Sequence, residues 1–230
     1  MKKIILLASA LTLMIPTTQA AYKSGFYVGV NAGGSYDYNK VDETDVASVP
    51  PVSISRGKKI ESGAFQGGLF LGYLFRIPES KLLLGLEHSS SFSSFSKEWR
   101  SVDANTIRYD NKLTRNYCGS FVLKFGGVLQ EAWLVYGLLG VDISRFKLGT
   151  TFSPDIGSPQ KGSCRKTLVG ICYGLGLERE ICEHWRLGFE FRCTQYCSKK
   201  MLTNYADVYS DEMDAKLGSI YAGMRLSYAF

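Results

Sequence analysis

His88 and Ser90 are the residues whose types and spacing most directly suggest chemistry, because the sequence holds only one other histidine, His184. Two positions apart on a strand, their side chains point to the same face. There an imidazole can take the hydroxyl proton and make the serine a nucleophile. That chemistry also needs an acid that orients the histidine and a donor for the oxyanion, and the sequence offers no well-placed acid on this face.

The alternative for His88 and Ser90 is a polar collar where a protein surface passes from lipid to water. His184 lies near Cys182, but two residues do not complete a metal site. We therefore expect no catalytic residue, no metal and no cofactor in this chain.

Charged residues on the opposite face of several strands form a second group with possible chemistry. They alternate with outward apolar residues, and the predicted inward set is Glu87, Lys124, Asp142, Arg186, Glu190, Arg192 and Arg225. Glu87 and Lys124 fall on adjacent strands, as do Glu190 or Arg192 and Arg225. If the strands close into a small barrel, its interior is nearly filled by its own side chains. We therefore expect these charges to pair as a fixed plug. The alternative is a gate whose partners exchange and admit small ions.

Eight alternating segments would position these residues. The period of two is that of a strand, and each segment is near the roughly 9 to 11 residues that a tilted membrane strand needs. The segments are 25–36, 64–75, 81–92, 117–125, 133–143, 167–177, 185–193 and 220–230. The pattern predicts an all-β fold, a transmembrane eight-stranded antiparallel up-and-down β-barrel.

The connections between these segments alternate in length. Short ones fall at 76–80, 127–131 and 178–184, and long polar ones at 37–63, 93–116, 144–166 and 194–215. Short turns on one rim and long loops on the other are typical of outer-membrane barrels, whose long loops lie outside the cell. A soluble eight-stranded barrel would instead turn its large apolar side chains inward. Here Leu84, Val141 and Phe189 are predicted to face lipid, with Glu87 and Arg225 inside.

The amino terminus reads as a targeting segment. A basic start at 1–3, an apolar run at 4–15 and a small-x-small site at 18–20 predict a Sec-type signal peptide cut after Ala20. The predicted domains are therefore the signal peptide at 1–20 and the barrel at 21–230. The chain carries a net charge of +6, yet its basic residues are dispersed along the sequence, so we expect no nucleic-acid partner.

Six cysteines follow the predicted cleavage site. In an oxidising compartment disulfides are plausible, and we expect staples near the long-loop rim among Cys118, Cys164, Cys193 and Cys197. Cys182 stands apart on the opposite rim, where it is either free or joined to another envelope protein.

Three short segments resemble a known family. FYVGVNAG at 26–33, LLGLE at 83–87 and the terminal SYAF at 227–230 resemble the OmpA-like and opacity-protein-like eight-stranded outer-membrane barrels. The resemblance implies a bacterial outer-membrane location and contact with outer-membrane lipid and lipopolysaccharide. It also implies that the terminal Phe230 is the signal read by the barrel assembly machinery.

The function implied by this resemblance is not enzymatic. We expect a monomeric surface protein, envelope-structural or adhesin-like, whose loops contact a host surface or another envelope protein. One alternative is a narrow ion-conducting pore. A second is a lipid A-modifying enzyme, because the His88-x-Ser90 pair resembles the dyad of PagL-type lipid A deacylases. That family has Asn after the serine, where this chain has Ser91.

Overall fold

The computed structural model describes residues 22–47, 53–102, 108–129, 132–153, 160–197, 199–205 and 209–230. Within them lie nine antiparallel strands: β1 (Gly25–Ala47), β2 (Ser53–Arg76), β3 (Leu82–Val102), β4 (Arg108–Leu129), β5 (Trp133–Ser153), β6 (Gln160–Glu180), β7 (Trp185–Tyr196), β8 (Lys199–Tyr205) and β9 (Tyr209–Ala229). No helix among the described residues is long and apolar enough to cross a membrane.

The strands form one closed sheet. β1 to β7 pair in sequence order, β7 pairs with β9, and β9 returns to β1. β8 pairs only with the outer part of β9, from Lys199 opposite Ala215 to Tyr205 opposite Tyr209. It therefore extends the position of β7 in the wall and adds no ninth position. The predicted eight-stranded antiparallel up-and-down barrel is confirmed.

The strands are much longer than the sequence pattern indicated. The segment predicted as a loop at 37–63 contains the outer part of β1, to Ala47, and the start of β2 at Ser53. The other three predicted loops are likewise occupied largely by strand. The reason is that alternation continues there with the apolar residues on the inner face, so a search for outward apolar residues stops too early.

A belt of exposed apolar side chains surrounds the barrel. Leu84, Val141 and Phe189 are 49%, 43% and 51% exposed, whereas Glu87 and Arg225 are 0% and 2% exposed. Apolar side chains on the outer wall, with charges inside, suit a wall that meets lipid. We call these outward apolar residues the lipid belt.

A bulge in β4 changes which residues face inward. The pairing of β4 with β5 shifts between Arg115 and Tyr117, so one extra residue enters β4 at this point. On the side of the bulge toward the short turns, Ser120 and Lys124 are buried inside the barrel. On the opposite side, Arg115 and Leu113 are buried. The bulge therefore turns Arg115 into the barrel.

Candidate functional site in the barrel interior

The middle of the barrel holds six buried charged residues, which we call the central charge cluster. They are Glu87, Lys124, Glu178, Glu190, Arg192 and Arg225, all under 8% exposed. They come from β3, β4, β6, β7 and β9, so the cluster ties together more than half of the wall. Three carboxylates and three cations make it formally neutral.

Arg225 lies at the centre of this cluster. Its Nη2 is 2.5 Å from Glu87 Oε2, and its Nε is 3.4 Å from Glu178 Oε1. Its Nη1 donates to both Glu87 and Glu190. One guanidinium thus contacts three carboxylates: it donates hydrogen bonds to Glu87 and Glu190, and it lies within ion-pair distance of Glu178.

The other two cations complete the pairing. Lys124 Nζ lies 2.7 Å from Glu87 Oε2 and 3.6 Å from Glu178 Oε1. Arg192 Nη2 lies 2.6 Å from Glu190 Oε1, and its Nη1 donates to Ser120 Oγ over 2.7 Å. Each buried charge therefore has an opposite charge in contact, which is the condition for tolerating it away from water.

Two buried tyrosines add hydrogen bonds to the same carboxylates. Tyr27 donates its hydroxyl to Glu87 Oε2 over 2.8 Å. The Tyr136 hydroxyl lies 3.1 Å from Glu178 Oε1 and 3.0 Å from Glu190 Oε2. A Cβ added at Gly176 would collide with the Tyr136 ring, so the absence of a side chain at Gly176 makes room for this tyrosine.

Apolar side chains close the interior toward the short-turn rim. Leu74, Leu83, Val128 and Leu134 lie near the strand ends at that rim, and each is at most 6% exposed. Arg186 and Tyr22 also lie there, with the guanidinium 4.6 Å from the ring centroid. Burial raises the pKa of Tyr22 well above that of an ordinary tyrosine, so this ring stays neutral.

On the other side of the central charge cluster lies a second polar group, which we call the Arg115 layer. Arg115 Nη1 is 2.9 Å from Asp37 Oδ1, and Nη2 donates to Ser35 Oγ over 3.2 Å. Nearby, Ser144 Oγ and the Tyr196 hydroxyl donate to Asp142 Oδ1 over 2.6 Å and 2.9 Å. These groups hold the interior together at the edge of the lipid belt that lies away from the short-turn rim.

Beyond the Arg115 layer the interior becomes mainly apolar, although Asn111 and Thr150 are also buried there. The buried residues there, which we call the distal core, are Ile60, Phe95, Trp99, Leu113, Phe146, Leu148, Leu168, Tyr196 and Leu217. They come from seven strands, β2 to β7 and β9. The interior is therefore layered, with charged and polar groups between two apolar regions.

The structure distributes the seven predicted interior charges over three levels. Five lie in the central charge cluster, namely Glu87, Lys124, Glu190, Arg192 and Arg225. Asp142 lies in the Arg115 layer and Arg186 at the short-turn rim. All seven are at most 7% exposed.

Sequence reasoning missed Glu178, Arg115 and Asp37. Glu178 continues the inward alternation of Gly174 and Gly176 on β6, so the pattern extends to it, but the predicted short connection at 178–184 begins at this residue. Arg115 and Asp37 fell in predicted loops. For Arg115 no periodic signal existed, because the bulge reverses its face.

His88 and Ser90 are in contact on the outer face. Ser90 Oγ lies 3.2 Å from His88 Nε2, and His88 Nδ1 lies 3.1 Å from the backbone oxygen of Ser120. If Nδ1 donates to that carbonyl, Nε2 is free to accept the serine proton. The group facing Nδ1 is a backbone oxygen where a catalytic triad has a carboxylate.

All six cysteines lie among the described residues and are free thiols there, so the structure contains none of the expected loop staples. Cys118 is buried inside β4, opposite Ser91 and Ser144, while Cys193 lies on β7 opposite Tyr173 and Ile220. Two strands separate them in the wall. Cys182 is exposed at the short-turn rim, and the described residues contain no group of three or more potential metal ligands.

Phe230 closes the chain beside β1. Its backbone nitrogen donates to the Phe26 oxygen over 2.9 Å, and its ring is 75% exposed. It contacts the Tyr228 ring with centroids 5.3 Å apart. The terminal aromatic residue thus belongs to the outer face of the barrel seam between β9 and β1.

Comparison with known proteins agrees with this architecture. A family model described as outer membrane protein beta-barrel domain matches residues 5–230, and the chain belongs to that family. It therefore resides in the bacterial outer membrane, as its resemblance to eight-stranded barrels predicted. It is 24% identical over 214 residues to the 31 kDa outer-membrane immunogenic protein of Brucella melitensis, covering 90% of this chain and 83% of that protein.

Two solved structures show the same fold at low identity. The outer membrane protein OprG from Pseudomonas aeruginosa is 15% identical with a TM-score of 0.55, covering 92% of this chain and 98% of OprG. The outer membrane protease OmpT from Escherichia coli is 9% identical with a TM-score of 0.51, covering 93% of this chain and 100% of OmpT. At these identities the likeness concerns the fold alone.

Proposed function

We propose that this protein is a monomeric, non-enzymatic surface barrel on a rigid, internally plugged support. It displays its long hairpins, which are the parts of the paired strands that continue beyond the lipid belt at the end opposite the short turns. The observation that carries the proposal is the layered interior, in which paired charges lie between two apolar regions. Such an interior is built to hold the wall together. Its contacts with partners would then be made by the outside and the hairpin end.

The length of the wall supports display. β6 continues past the lipid belt from Thr167 to Gln160, which at about 3.4 Å per residue is roughly 24 Å of strand. This part encloses the distal core, so it is a packed barrel rather than a set of loose loops. We place the long hairpins outside the cell and the short turns in the periplasm, as is usual for such barrels.

The same interior argues against the narrow-pore alternative. Ions crossing the barrel would have to pass Leu83 and Leu134 at one end and Phe146 and Leu148 at the other, all at most 2% exposed. They would also have to disrupt the pairs around Arg225. Since a buried charge that loses its partner is costly, we expect the plug to stay closed.

Planar-bilayer recordings test the plug. We expect the purified full chain to give no current steps above the lipid background, and the Lys124→Met variant to give none either if it remains folded. Discrete steps in the wild type whose size changes in Lys124→Met would contradict the proposal and favour the pore.

Display is tested by replacing the connections between strands. Residues 48–52 and 154–159 would each be exchanged for a Gly/Ser segment of equal length, and the short turn 77–80 would serve as the control. Bacteria expressing each variant would be scored for adhesion to host cells and for co-purification of envelope proteins. We expect loss only with the long-hairpin exchanges; unchanged binding in all variants would reject the display role.

The contact between Ser90 and His88 favours one competing function, a lipid-active enzyme. Both residues lie on the outer face beside Phe121, whose ring centroid is 4.3 Å from that of His88, so a lipid ester could approach them. The test is the mass of lipid A after expression of the wild type and of Ser90→Ala. Identical masses in both, matching cells without the protein, would eliminate the enzyme.

A further inference from the structure

The outer face of β5 and β6 changes from apolar to basic within one step. On β5 the outward residues Val141 and Ile143 are followed by Arg145 and Lys147, and on β6 the outward Val169 is followed by Thr167 and Arg165. The three cations Arg145, Lys147 and Arg165 are all exposed. We call them the basic collar.

Strand pairing brings these cations together although the sequence separates them. Lys147 lies directly opposite Arg165, and Arg145 lies opposite Thr167. Directly opposite residues have Cβ atoms about 5 Å apart, and Arg145 is a further two residues, or about 7 Å, along β5. The dispersed charges of the sequence thus form a compact cluster on the folded surface.

The cluster lacks acidic partners. Among the described residues, none of its three cations forms an ion pair, whereas the exposed Arg100 on β3 and Lys112 on β4 pair with Asp110 and Glu98. Like charges placed directly opposite each other destabilise a sheet. A bound anion would remove that repulsion.

Its height on the barrel indicates which anion fits. Arg145 lies opposite Tyr117, which is 38% exposed, and one outward position above Ile143, which is 37% exposed. This is the edge of the lipid belt, where a tyrosine suits the boundary between lipid and water. Acyl chains covering Ile143 and Val169 would bring the polar end of the same lipid to the basic collar.

We propose that Arg145, Lys147 and Arg165 bind the phosphate groups of a lipid headgroup in the membrane leaflet next to the long hairpins. Arginine offers paired N–H donors to phosphate oxygens, and lysine adds a point charge. One lipid molecule would then contact the belt through its chains and the collar through its phosphates. The site lies on the outer wall and is separate from the interior plug.

The test compares two triple variants of the full chain purified in detergent. The first is Arg145→Gln/Lys147→Gln/Arg165→Gln. The second, Lys59→Gln/Lys81→Gln/Lys97→Gln, removes the same charge from exposed positions on other parts of the barrel. Heat-modifiable gel mobility establishes that both remain folded. Native mass spectrometry then measures binding of lipid A and of the same lipid after enzymatic removal of its phosphates.

We expect the wild type and the second variant to bind lipid A with dissociation constants within twofold of each other. The first variant should bind at least tenfold more weakly, and removal of the lipid phosphates should weaken wild-type binding to a similar degree. Equal losses in both variants would indicate general electrostatic attraction and overturn the site. The site would also be overturned if removal of the lipid phosphates left wild-type binding unchanged. The same holds if dextran sulfate and inorganic phosphate displaced the lipid at equimolar concentration.

Discussion

Two parts of the same barrel wall sort their side chains in opposite ways. In the lipid belt, β5 turns Val141 and Ile143 outward and Asp142 inward. A few residues further on, β5 turns Lys147 outward and Phe146 and Leu148 inward. The strand and its period are unbroken, so the reversal lies in the residue types alone.

The reversal follows the solvent outside the wall. In the lipid belt an apolar outer face is already in an apolar medium, so stability comes from backbone pairing and from matched charges inside. Beyond the belt the outside is water, and burying apolar side chains becomes the main driving force. The Arg115 layer, with Asp37, Asp142 and Tyr196, lies where one arrangement passes into the other.

The largest effect should come from removing the centre of the charge cluster. Arg225→Ala would leave Glu87, Glu178 and Glu190 with only Lys124 and Arg192. Breaking a buried pair in this way costs about 3 to 5 kcal/mol, which urea unfolding of the protein in detergent micelles would measure. Arg100→Ala, at an exposed pair, is the control, and an equal loss there would refute the special role of the interior.

The distal core should respond to a cavity where the belt does not. Leu148 is 1% exposed in the distal core, and Leu139 is 53% exposed on the same strand. We expect Leu148→Ala to lower the free energy of unfolding by about 3 kcal/mol, and Leu139→Ala by about half as much because detergent fills the space on the outer wall. The same micelle unfolding assay compares them. Equal losses would show that the two parts are not packed by different rules.

Sequence alternation was sufficient to predict the barrel and the direction of its faces. Leu84, Val141, Phe189, Glu87 and Arg225 all lie on the expected side. The prediction succeeded because in a lipid belt the residue type reports the face directly. It stopped at the belt edge because the residue types reverse there, and polar outward residues such as Arg145 and Lys147 resembled a loop.

The interior site was predictable in its members but not in its levels. Alternation identified Glu190 and Arg225 as inward residues, yet only the strand register places Asp142 beside Tyr196. Tyr22 precedes β1, so only the folded chain shows that it lies beside Arg186. Register depends on the hydrogen-bonding of neighbouring strands, and a single bulged residue shifts it. The face of Arg115 therefore could not follow from counting residues along β4.

A smaller effect is expected at the layer between the two parts. The hydroxyl of Tyr196 donates to Asp142 and contacts Ser144 at 2.8 Å, so Tyr196→Phe removes a hydrogen bond to a buried carboxylate. We expect a loss of about 1 to 2 kcal/mol. Tyr173→Phe removes the same hydroxyl from the outer face of β6, where the residue is 46% exposed, and should change stability little. A larger loss for Tyr173→Phe would contradict the role of the Arg115 layer.

The smallest effect should come from the exposed ion pair in the wall beyond the lipid belt, and β3 offers a matched comparison. Glu98 pairs with Lys112 Nζ at 2.7 Å, with the two side chains 70% and 53% exposed, while Glu87 pairs with Lys124 Nζ at the same 2.7 Å with its side chain 0% exposed. Glu98→Gln and Glu87→Gln are therefore the same chemical change at the same pair distance. Water and salt screen the first pair, so we expect Glu98→Gln to leave the free energy of unfolding unchanged within error. Glu87→Gln should cost about 3 kcal/mol or more because Lys124 and Arg225 lose a buried counter-charge. Measuring both at low and at high salt separates the causes: if Glu98→Gln destabilises as much as Glu87→Gln at high salt, burial is not what distinguishes the two parts of the wall.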